Sequence, residues 1–224
     1  MTRSSATALL LVSVLSGAVF AAPFQNGSFE QGGIGSCNTY DVPAGSTLIT
    51  GWTVSVGNID WEGAACGWQA SDGSNSLDLV GQAAGGIGGI EQTFDTIPGT
   101  GYVIQFDLAG NYGAGPVIKP LAVTINGVTT NYTFDTTGRG AVNMGWTTKS
   151  LNFTASSTSS TIRFVSDVSA AGGTLNAGAA LDNVRIAPAV VAPLPNTVPL
   201  DWAHLAAAAM IALAGLLLLG RRRS

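Results

Sequence analysis

The sequence predicts an all-β fold, an antiparallel β-sandwich of jelly-roll type, and three observations support this. Apolar and polar residues alternate with a period of two in many short segments. Gly, Asn and Pro residues that form turns separate these segments. No convincing helix of ten residues stands among them. Alternation with one apolar face is typical of antiparallel strands that pack on one side only.

The clearest strands lie between residues 100 and 187. The segment YVIQFDL puts Tyr102, Ile104, Phe106 and Leu108 on one face. The segments LAVTI (121–125), SLNFT (150–154), TIRFV (161–165) and NVRIA (183–187) alternate in the same way. Turn signals such as PGTG at 98–101 and NG at 126–127 separate them. We therefore expect roughly ten strands in a sandwich.

The N-terminal segment predicts export. Residues 1–21 combine Arg3, the apolar run ALLLVSVLSGAVF and small residues, which is typical of a secretory signal peptide cleaved after Ala21. An uncleaved membrane anchor is the alternative, and the shortness of the apolar run argues against it.

Residues 201–224 predict a C-terminal membrane anchor with one transmembrane helix. Between residues 203 and 220 only His204 is clearly polar, and such a helix would span about 27 Å of a bilayer core of about 30 Å. Trp202 precedes the run and three Arg residues follow it at 221–223, which predicts a cytoplasmic C-terminus. The alternative is a buried helix of a soluble protein.

The Pro-rich segment 188–200 is predicted to be an extended linker, so the predicted domain covers residues 22–187.

The charge of the exported domain limits the kinds of molecule that it is expected to bind. Residues 22–200 contain five Lys or Arg and twelve Asp or Glu, a net charge of −7. An acidic surface with scattered cations argues against nucleic acid as a partner. Such a surface is compatible with neutral sugars or cations as ligands, or it serves solubility alone.

The two cysteines, Cys37 and Cys66, are predicted to form a disulfide because the exported domain reaches an oxidising compartment. Two free thiols or a thiol–metal site are the alternatives, and no His lies near either cysteine.

Several stretches in order carry a family resemblance: NGSFE (26–30), ITGWTV (49–54), NIDW (58–61), GWQASDGSNSLDLVG (67–81), IEQTFDTIPGTGYVIQFDLAGN (90–111) and ALDNVRI (180–186). Together they resemble the bacterial choice-of-anchor C family, which is similar to a plant cell-wall family of unknown biochemical activity. The resemblance implies the galactose-binding-like jelly roll that many carbohydrate-binding modules use. The C-terminus looks like the short sorting tails of Gram-negative bacteria, which implies a sorting protease as a partner.

The resemblance also implies a structural calcium site. In galactose-binding-like modules the first and last strands lie together, and a carboxylate from each can share Ca²⁺. The matching positions are Glu30 of NGSFE and Asp182 of LDNV. Ca²⁺ takes six to eight oxygen ligands, some from backbone carbonyls. The alternative is that both carboxylates bond to backbone N–H groups.

A polar and aromatic cluster is the candidate ligand site. Its members are Asn58, Asp60, Trp61, Trp68, Asp72, Asn111 and Tyr112. Sugar recognition uses flat aromatic faces together with amides and carboxylates that bond hydroxyls. The alternative is that the Trp residues belong to the core, as we expect for Trp52 and Trp146, and that Asp72 is a turn former.

Signatures of an enzyme are mostly missing. The only histidine, His204, lies at the predicted membrane edge, so a Ser-His-Asp triad cannot form in the exported domain. A carboxylate pair chosen from Asp60, Glu62 and Glu91 could hydrolyse a glycoside.

The leading hypothesis is a non-catalytic, surface-anchored protein that binds polysaccharide of the envelope or extracellular matrix. Its alternatives are an adhesive protein that binds other proteins and a weak glycoside hydrolase.

Overall fold

The computed structural model describes residues 22–33, 37–82, 85–171 and 175–189. All of them belong to the first of the two units into which the chain divides, Met1–Ala189 and Val190–Ser224. The predicted signal peptide, the transmembrane anchor and nearly all of the linker lie outside the described residues. Within those residues, no helix is long and apolar enough to cross a membrane.

Ten antiparallel strands make up the described part of the chain. They are β1 (Thr39–Pro43), β2 (Thr53–Gly63), β3 (Asn75–Asp78), β4 (Ile87–Asp95), β5 (Gly101–Gly110), β6 (Ile118–Ile125), β7 (Val128–Asp135), β8 (Thr147–Thr154), β9 (Ser159–Asp167) and β10 (Ala179–Pro188). One 3₁₀ turn, Ser169–Ala171, is the only helical element of the described residues. The predicted all-β class is confirmed, and the five predicted strands correspond to β5, β6, β8, β9 and β10.

The strands follow one continuous path, in the order β7-β6-β9-β4-β2-β3-β10-β5-β8, with β1 beside β2. Strand β2 belongs to both halves of this path, because its first part pairs with β4 and its second part with β1 and β3. The change occurs at Gly57, whose φ is 58°. A Cβ at this position would overlap the carbonyl oxygen of Ile87, so the crossing requires glycine.

The core lies between the two halves of the bent sheet. The ring of Phe164 in β9 lies 5.3 Å from that of Phe106 in β5 and 6.2 Å from that of Trp52, centroid to centroid. The predicted inward faces are confirmed for β5, β6 and β9, and Trp52 is buried as expected. Trp146 is only half-buried, and its Nε1 donates to the carbonyl oxygen of Gln69 at 2.8 Å.

Strands β7 and β8 are the two ends of the path, so each has a free edge. They approach each other where the Tyr132 hydroxyl of β7 donates to the carbonyl oxygen of Ser150 in β8, at 3.2 Å. We call the gap between these two strands the seam.

The N-terminal segment differs from the expectation. Glu30 does not lie in a strand, and the first strand, β1, pairs with β2 and not with β10. The segment contacts the last strand through one backbone bond, from the Val184 N–H to the carbonyl oxygen of Gly27 at 2.8 Å. Positive φ values at Asn26 and Phe29 turn the chain here and prevent a regular ladder.

Candidate functional site

A row of buried carboxylates lies on the face of the β2-β3-β10-β5 sheet that points away from the core. Asp60 of β2 lies directly opposite Asp78 of β3, and Asp182 of β10 lies opposite Asp107 of β5. Glu62 follows Asp60 on the same face of β2, because alternate residues of a strand share a face. All five side chains are at least nine-tenths buried.

Burial changes the protonation of this row. It raises the pKa of Asp60 to about 6. It raises the pKa of Glu62 to about 7, and the charges of Asp60 and Asp78 act in the same direction. Burial also raises the pKa of Asp78 to about 7, although three hydrogen bonds oppose the shift. Glu62 and Asp78 are therefore close to half-protonated near neutral pH, whereas Asp60 loses its proton about one pH unit lower.

Asp78 is the centre of a buried hydrogen-bond network that includes one predicted site residue. Asn111 Nδ2 donates to Asp78 Oδ2 at 2.7 Å, and the Val80 and Gly178 N–H groups donate to Oδ1. Lys119 is fully buried nearby and donates to two backbone carbonyl oxygens. Burial lowers the pKa of Lys119, and the charge of Asp78 offsets part of this shift.

Residues 64–74, which we call the cover loop, lie over part of the carboxylate row, namely Glu62, Asp107 and Asp182. The Ser71 and Asp72 N–H groups donate to Asp182 Oδ2 at 2.7 and 2.9 Å. Burial raises the pKa of Asp182 to about 7 against these bonds. The Ser71 hydroxyl donates to Asp107, as does that of Thr148 at 2.6 Å. Burial alone would raise the pKa of Asp107, but these hydroxyls, the Asn183 amide and the Arg185 charge together bring it below its usual range.

Glu30 holds the end of the same loop. Its Oε1 accepts hydrogen bonds from the Ser74 and Asn75 N–H groups at 2.8 and 2.7 Å. Glu30 and Asp182 thus both bond to backbone N–H groups of residues 71–75, which is the alternative to a shared calcium ion. Within the described residues, no group of three or more His, Cys, Asp or Glu side chains is arranged to hold a metal. The calcium site stays a prediction.

The predicted disulfide between Cys37 and Cys66 is present, with a Cα–Cα distance of 5.6 Å. It joins the cover loop to the segment before β1. Asn38 adds a second tie, because its Oδ1 accepts the Gly63 N–H at 2.8 Å. The cover loop is therefore fixed at its start as well as at its end.

The two Trp residues of the predicted ligand cluster cannot offer a face to a sugar, and this expectation is wrong. Trp61 is 0% exposed and its Nε1 donates to the carbonyl oxygen of Phe29 at 3.1 Å. Trp68 is 5% exposed, and its Nε1 donates to the Ser76 hydroxyl at 2.7 Å. Burial of these large rings, with each N–H paired, stabilises the sandwich and the cover loop.

The other predicted ligand residues are divided between two environments. Asn58 and Asp60 are buried at one end of the carboxylate row, and Asn111 reaches the row through Asp78. Asp72 and Tyr112 are exposed. These five residues therefore do not line one open pocket.

The seam contains a cavity that none of these residues lines. Its volume is about 330 Å³. Its lining includes Val128, Thr130, Asn152, Phe153, Thr154 and Ser156. Hydroxyl and amide groups alternate with apolar side chains here, and no charged side chain lines the cavity within the described residues.

A second cavity, the outer groove, lies on the outer face of the β7-β6-β9 sheet. Its volume is about 350 Å³. Its lining includes Pro120, Ala122, Asn131, Thr133, Val165 and Asp167. The two cavities lie along the same edge strand, β7.

Comparison with known proteins identifies the family. A family model for proteins of unknown function, DUF642, matches residues 22–187. The chain belongs to the DUF642 family. The match covers the predicted exported domain. The finer resemblance to the choice-of-anchor C family, with its sorting tail, stays a prediction.

One curated relative of this DUF642 chain is halomucin from Haloquadratum walsbyi. The two are 33% identical over 199 residues, which cover 81% of this chain but only 2% of halomucin. The chain thus spans a very small part of the curated relative that it matches.

Solved structures with a similar fold include carbohydrate-binding modules. TmCBM61 in complex with β-1,4-galactotriose has a TM-score of 0.48 at 16% identity, covering 75% of this chain and 99% of that one. The xylan-binding CBM22-1 domain of Paenibacillus barcinonensis Xyn10C has a TM-score of 0.42 at 17% identity, covering 71% and 98%.

Sequence reasoning missed the cavity residues of this DUF642 domain. Asn131 and Asn152 look like ordinary outward-facing residues in their strands, and nothing local marks them. These two side chains line cavities only because β7 and β8 are the two ends of the strand path. The only local signal is the sequence of small or polar outward residues along β6 and β7.

The candidate carboxylates for hydrolysis are separated. Glu62 lies beneath the cover loop and Asp60 accepts the Asp41 N–H of β1 at 2.7 Å, whereas Glu91 lies on the outer face of β4, 3.9 Å from Arg163. Asp60 and Glu62 are 4% and 5% exposed, so a sugar could not reach them without movement of the segments that cover them.

Proposed function

We propose that this DUF642 protein is exported, is held at the cell surface, and binds carbohydrate of the envelope or extracellular matrix without catalysis. The observation that carries the binding proposal is the seam cavity. It combines uncharged hydrogen-bonding groups with an apolar wall in a space of about 330 Å³. This combination suits a pyranose ring, which presents hydroxyl groups at its rim and C–H groups on its faces.

The contacts within the seam cavity support a sugar as the ligand. The side chains of Thr130, Asn152 and Thr154 make no hydrogen bond to other described residues, so they are available to hydroxyl groups. Asn126 is different, because its amide already bonds to Ser160 and to the Thr161 N–H. Phe153 and Val128 supply the apolar contacts. The absence of Lys and Arg from the described lining favours an uncharged sugar.

The location rests on sequence alone. Residues 1–21 would direct export, and the apolar segment 203–220 with its three following Arg residues would anchor the chain. A sorting protease would remove this tail at the surface. The mass of the mature protein reports both cleavages, and a mass that retains residues 201–224 would exclude removal of the tail.

The first prediction concerns glycan binding by residues 22–189. We expect slower migration in native gels that contain β-1,4-galactan or β-1,4-xylan, and little change with an anionic polyuronate. Asn152→Ala removes one hydrogen-bonding group from the cavity and should weaken binding by about fivefold. Asn143→Ala, on an exposed turn, is the matched control.

A different result would change the proposal. If no polysaccharide slows the domain while immobilised domain captures a protein from the cell surface, the adhesive alternative is favoured. Release of reducing sugar that is lost in Glu62→Gln would favour the hydrolase.

A further inference from the structure

The outer groove exists because the middle strand of its sheet carries small side chains. Outward positions of β6 in this region are Pro120 and Ala122. Across the strands, Ala122 pairs with Asn131 of β7 and with Val165 of β9. Beyond Val165 the partner in β4 is Gly89, which has no side chain. Ala122, Val165 and Gly89 thus form a shallow floor, and the longer polar side chains lie beside it.

The polar groups of the outer groove are available to a ligand. The side chains of Asn131 and Thr133 make no hydrogen bond to any other residue of the described ranges. Asp167 uses one oxygen, Oδ1, to accept the N–H of Ser169 at 3.0 Å and its hydroxyl. The other oxygen, Oδ2, can accept hydroxyl protons. An amide, a hydroxyl and a carboxylate therefore surround an apolar floor.

This chemistry suits an uncharged, hydroxyl-rich ligand. The C–H face of a sugar ring would lie on Pro120, Ala122 and Val165, while its hydroxyls would bond to Asn131 and Asp167. An anionic sugar would be repelled by Asp167, since neither Lys nor Arg is among the groove residues that the structure describes.

The groove and the seam cavity lie on opposite faces of β7. Thr130 lines the seam cavity and pairs with the inward-facing Val123, whereas the next residue, Asn131, lines the groove and pairs with the outward-facing Ala122. Successive side chains of a strand point to opposite faces, so one sugar ring on either face occupies only one of the two cavities. Because β7 ends the strand path, a longer oligosaccharide can pass over its free edge and fill both cavities.

We propose that the outer groove is a second sugar subsite and that the protein binds an internal stretch of an uncharged polysaccharide, with units on both sides of β7. The inference rests on the proposed function, because it assigns the substrate class of the same binding surface. It predicts that affinity grows with chain length until both cavities are filled.

The test uses residues 22–189, wild type and variants, with β-1,4-galactan, β-1,4-xylan and the corresponding trisaccharides in calorimetric titrations. Ala122→Trp fills the floor of the groove, and Asn131→Ala removes one polar group. Thr93→Trp places the same ring on the exposed outer face of β4, away from both cavities, and is the matched control. Circular dichroism melting verifies that each variant folds.

We expect Ala122→Trp to weaken polymer binding by about tenfold and Asn131→Ala by about fivefold, with Thr93→Trp unchanged. The trisaccharide should bind more weakly than the polymer, and Asn152→Ala should weaken the binding of both. If Asn152→Ala weakens polymer binding and both groove variants do not, the second subsite is wrong and the proposed function stands. If wild type binds neither polymer nor trisaccharide, both proposals are overturned.

Discussion

Asp60 and Asp78 lie opposite each other on neighbouring strands, and both are almost fully buried. Like charges directly opposite in a sheet destabilise it, and burial adds a desolvation cost to each charge. Glu62 joins them on the same face. Protons reduce this cost, because each carboxylate that binds one becomes neutral. The folded protein therefore holds protons on this row that the unfolded chain releases.

The stability of the domain should fall as pH rises from about 5 to 8. The pKa values of Asp60, Glu62 and Asp78 are about 6, 7 and 7 in the folded state, above those of the unfolded chain. Groups with raised pKa values contribute fully below the unfolded pKa of about 4, and their contribution is lost as pH rises through the folded pKa. Urea denaturation at pH 5, 6.5 and 8 measures this change.

The variant Glu62→Gln isolates one charge of the row. It should equal wild type at pH 5 and exceed it at pH 8, with a free energy of unfolding higher by on the order of 2 kcal/mol. Glu91→Gln, on the outer face of β4, is the matched control and should keep the wild-type slope. A wild-type stability that rises between pH 5 and pH 8 would contradict the account.

Among the elements, the cover loop depends most on contacts that are distant in sequence. Its N–H groups bond to Asp182 and Glu30, and its own Trp68 side chain is buried. The disulfide to Cys37 closes a loop with a sequence separation of 29 residues. These ties hold the loop over Asp182, so the burial that raises the pKa of Asp182 and the structure of the loop depend on each other.

Removal of the disulfide should destabilise the domain. For Cys37→Ser with Cys66→Ser, the chain-entropy model predicts a loss of about 3–4 kcal/mol in the free energy of unfolding. Urea denaturation of the double variant measures the loss, and reductant added to wild type should reproduce it. Equal stability of the variant and wild type would show that the backbone bonds alone fix the loop.

At the scale of the whole molecule, the cover loop joins the N-terminal segment to the last strand. Glu30 reaches the loop from one side and Asp182 from the other, and Val184 bonds to Gly27 nearby. The two ends of the domain are thus connected through residues 71–75. A structural calcium ion at Glu30 and Asp182 would strengthen the same connection.

The calcium site is tested by melting the domain in EDTA and in calcium. If the ion binds, calcium at about 100 times its Kd should raise the Tm by roughly 5–10 °C. Glu30→Gln should abolish this increase, whereas Glu91→Gln should not. Identical melting curves with EDTA and with calcium would show that backbone N–H bonds alone make the connection.

The sequence by itself determined the strands, because side chains that alternate along a strand carry their own periodic signal. The inward faces of β5, β6 and β9 and the pairing of Cys37 with Cys66 followed from such local patterns and from the predicted export. The DUF642 match agrees with the coarse family assignment. Periodicity cannot show which residues are covered by segments distant in sequence, and this is why Asp60, which bonds to Asp41, was expected in an open site.

Only the tertiary structure decided where the cavities are and which carboxylates are buried. Strand order brings Asp60 opposite Asp78, leaves β7 and β8 as free edges, and aligns Ala122 with Val165 beneath the outer groove. These neighbours are set by non-local hydrogen bonds between strands. The sequence of one strand does not specify which strands lie beside it. Burial, pKa values and cavity shape could therefore be read only from the assembled sheet.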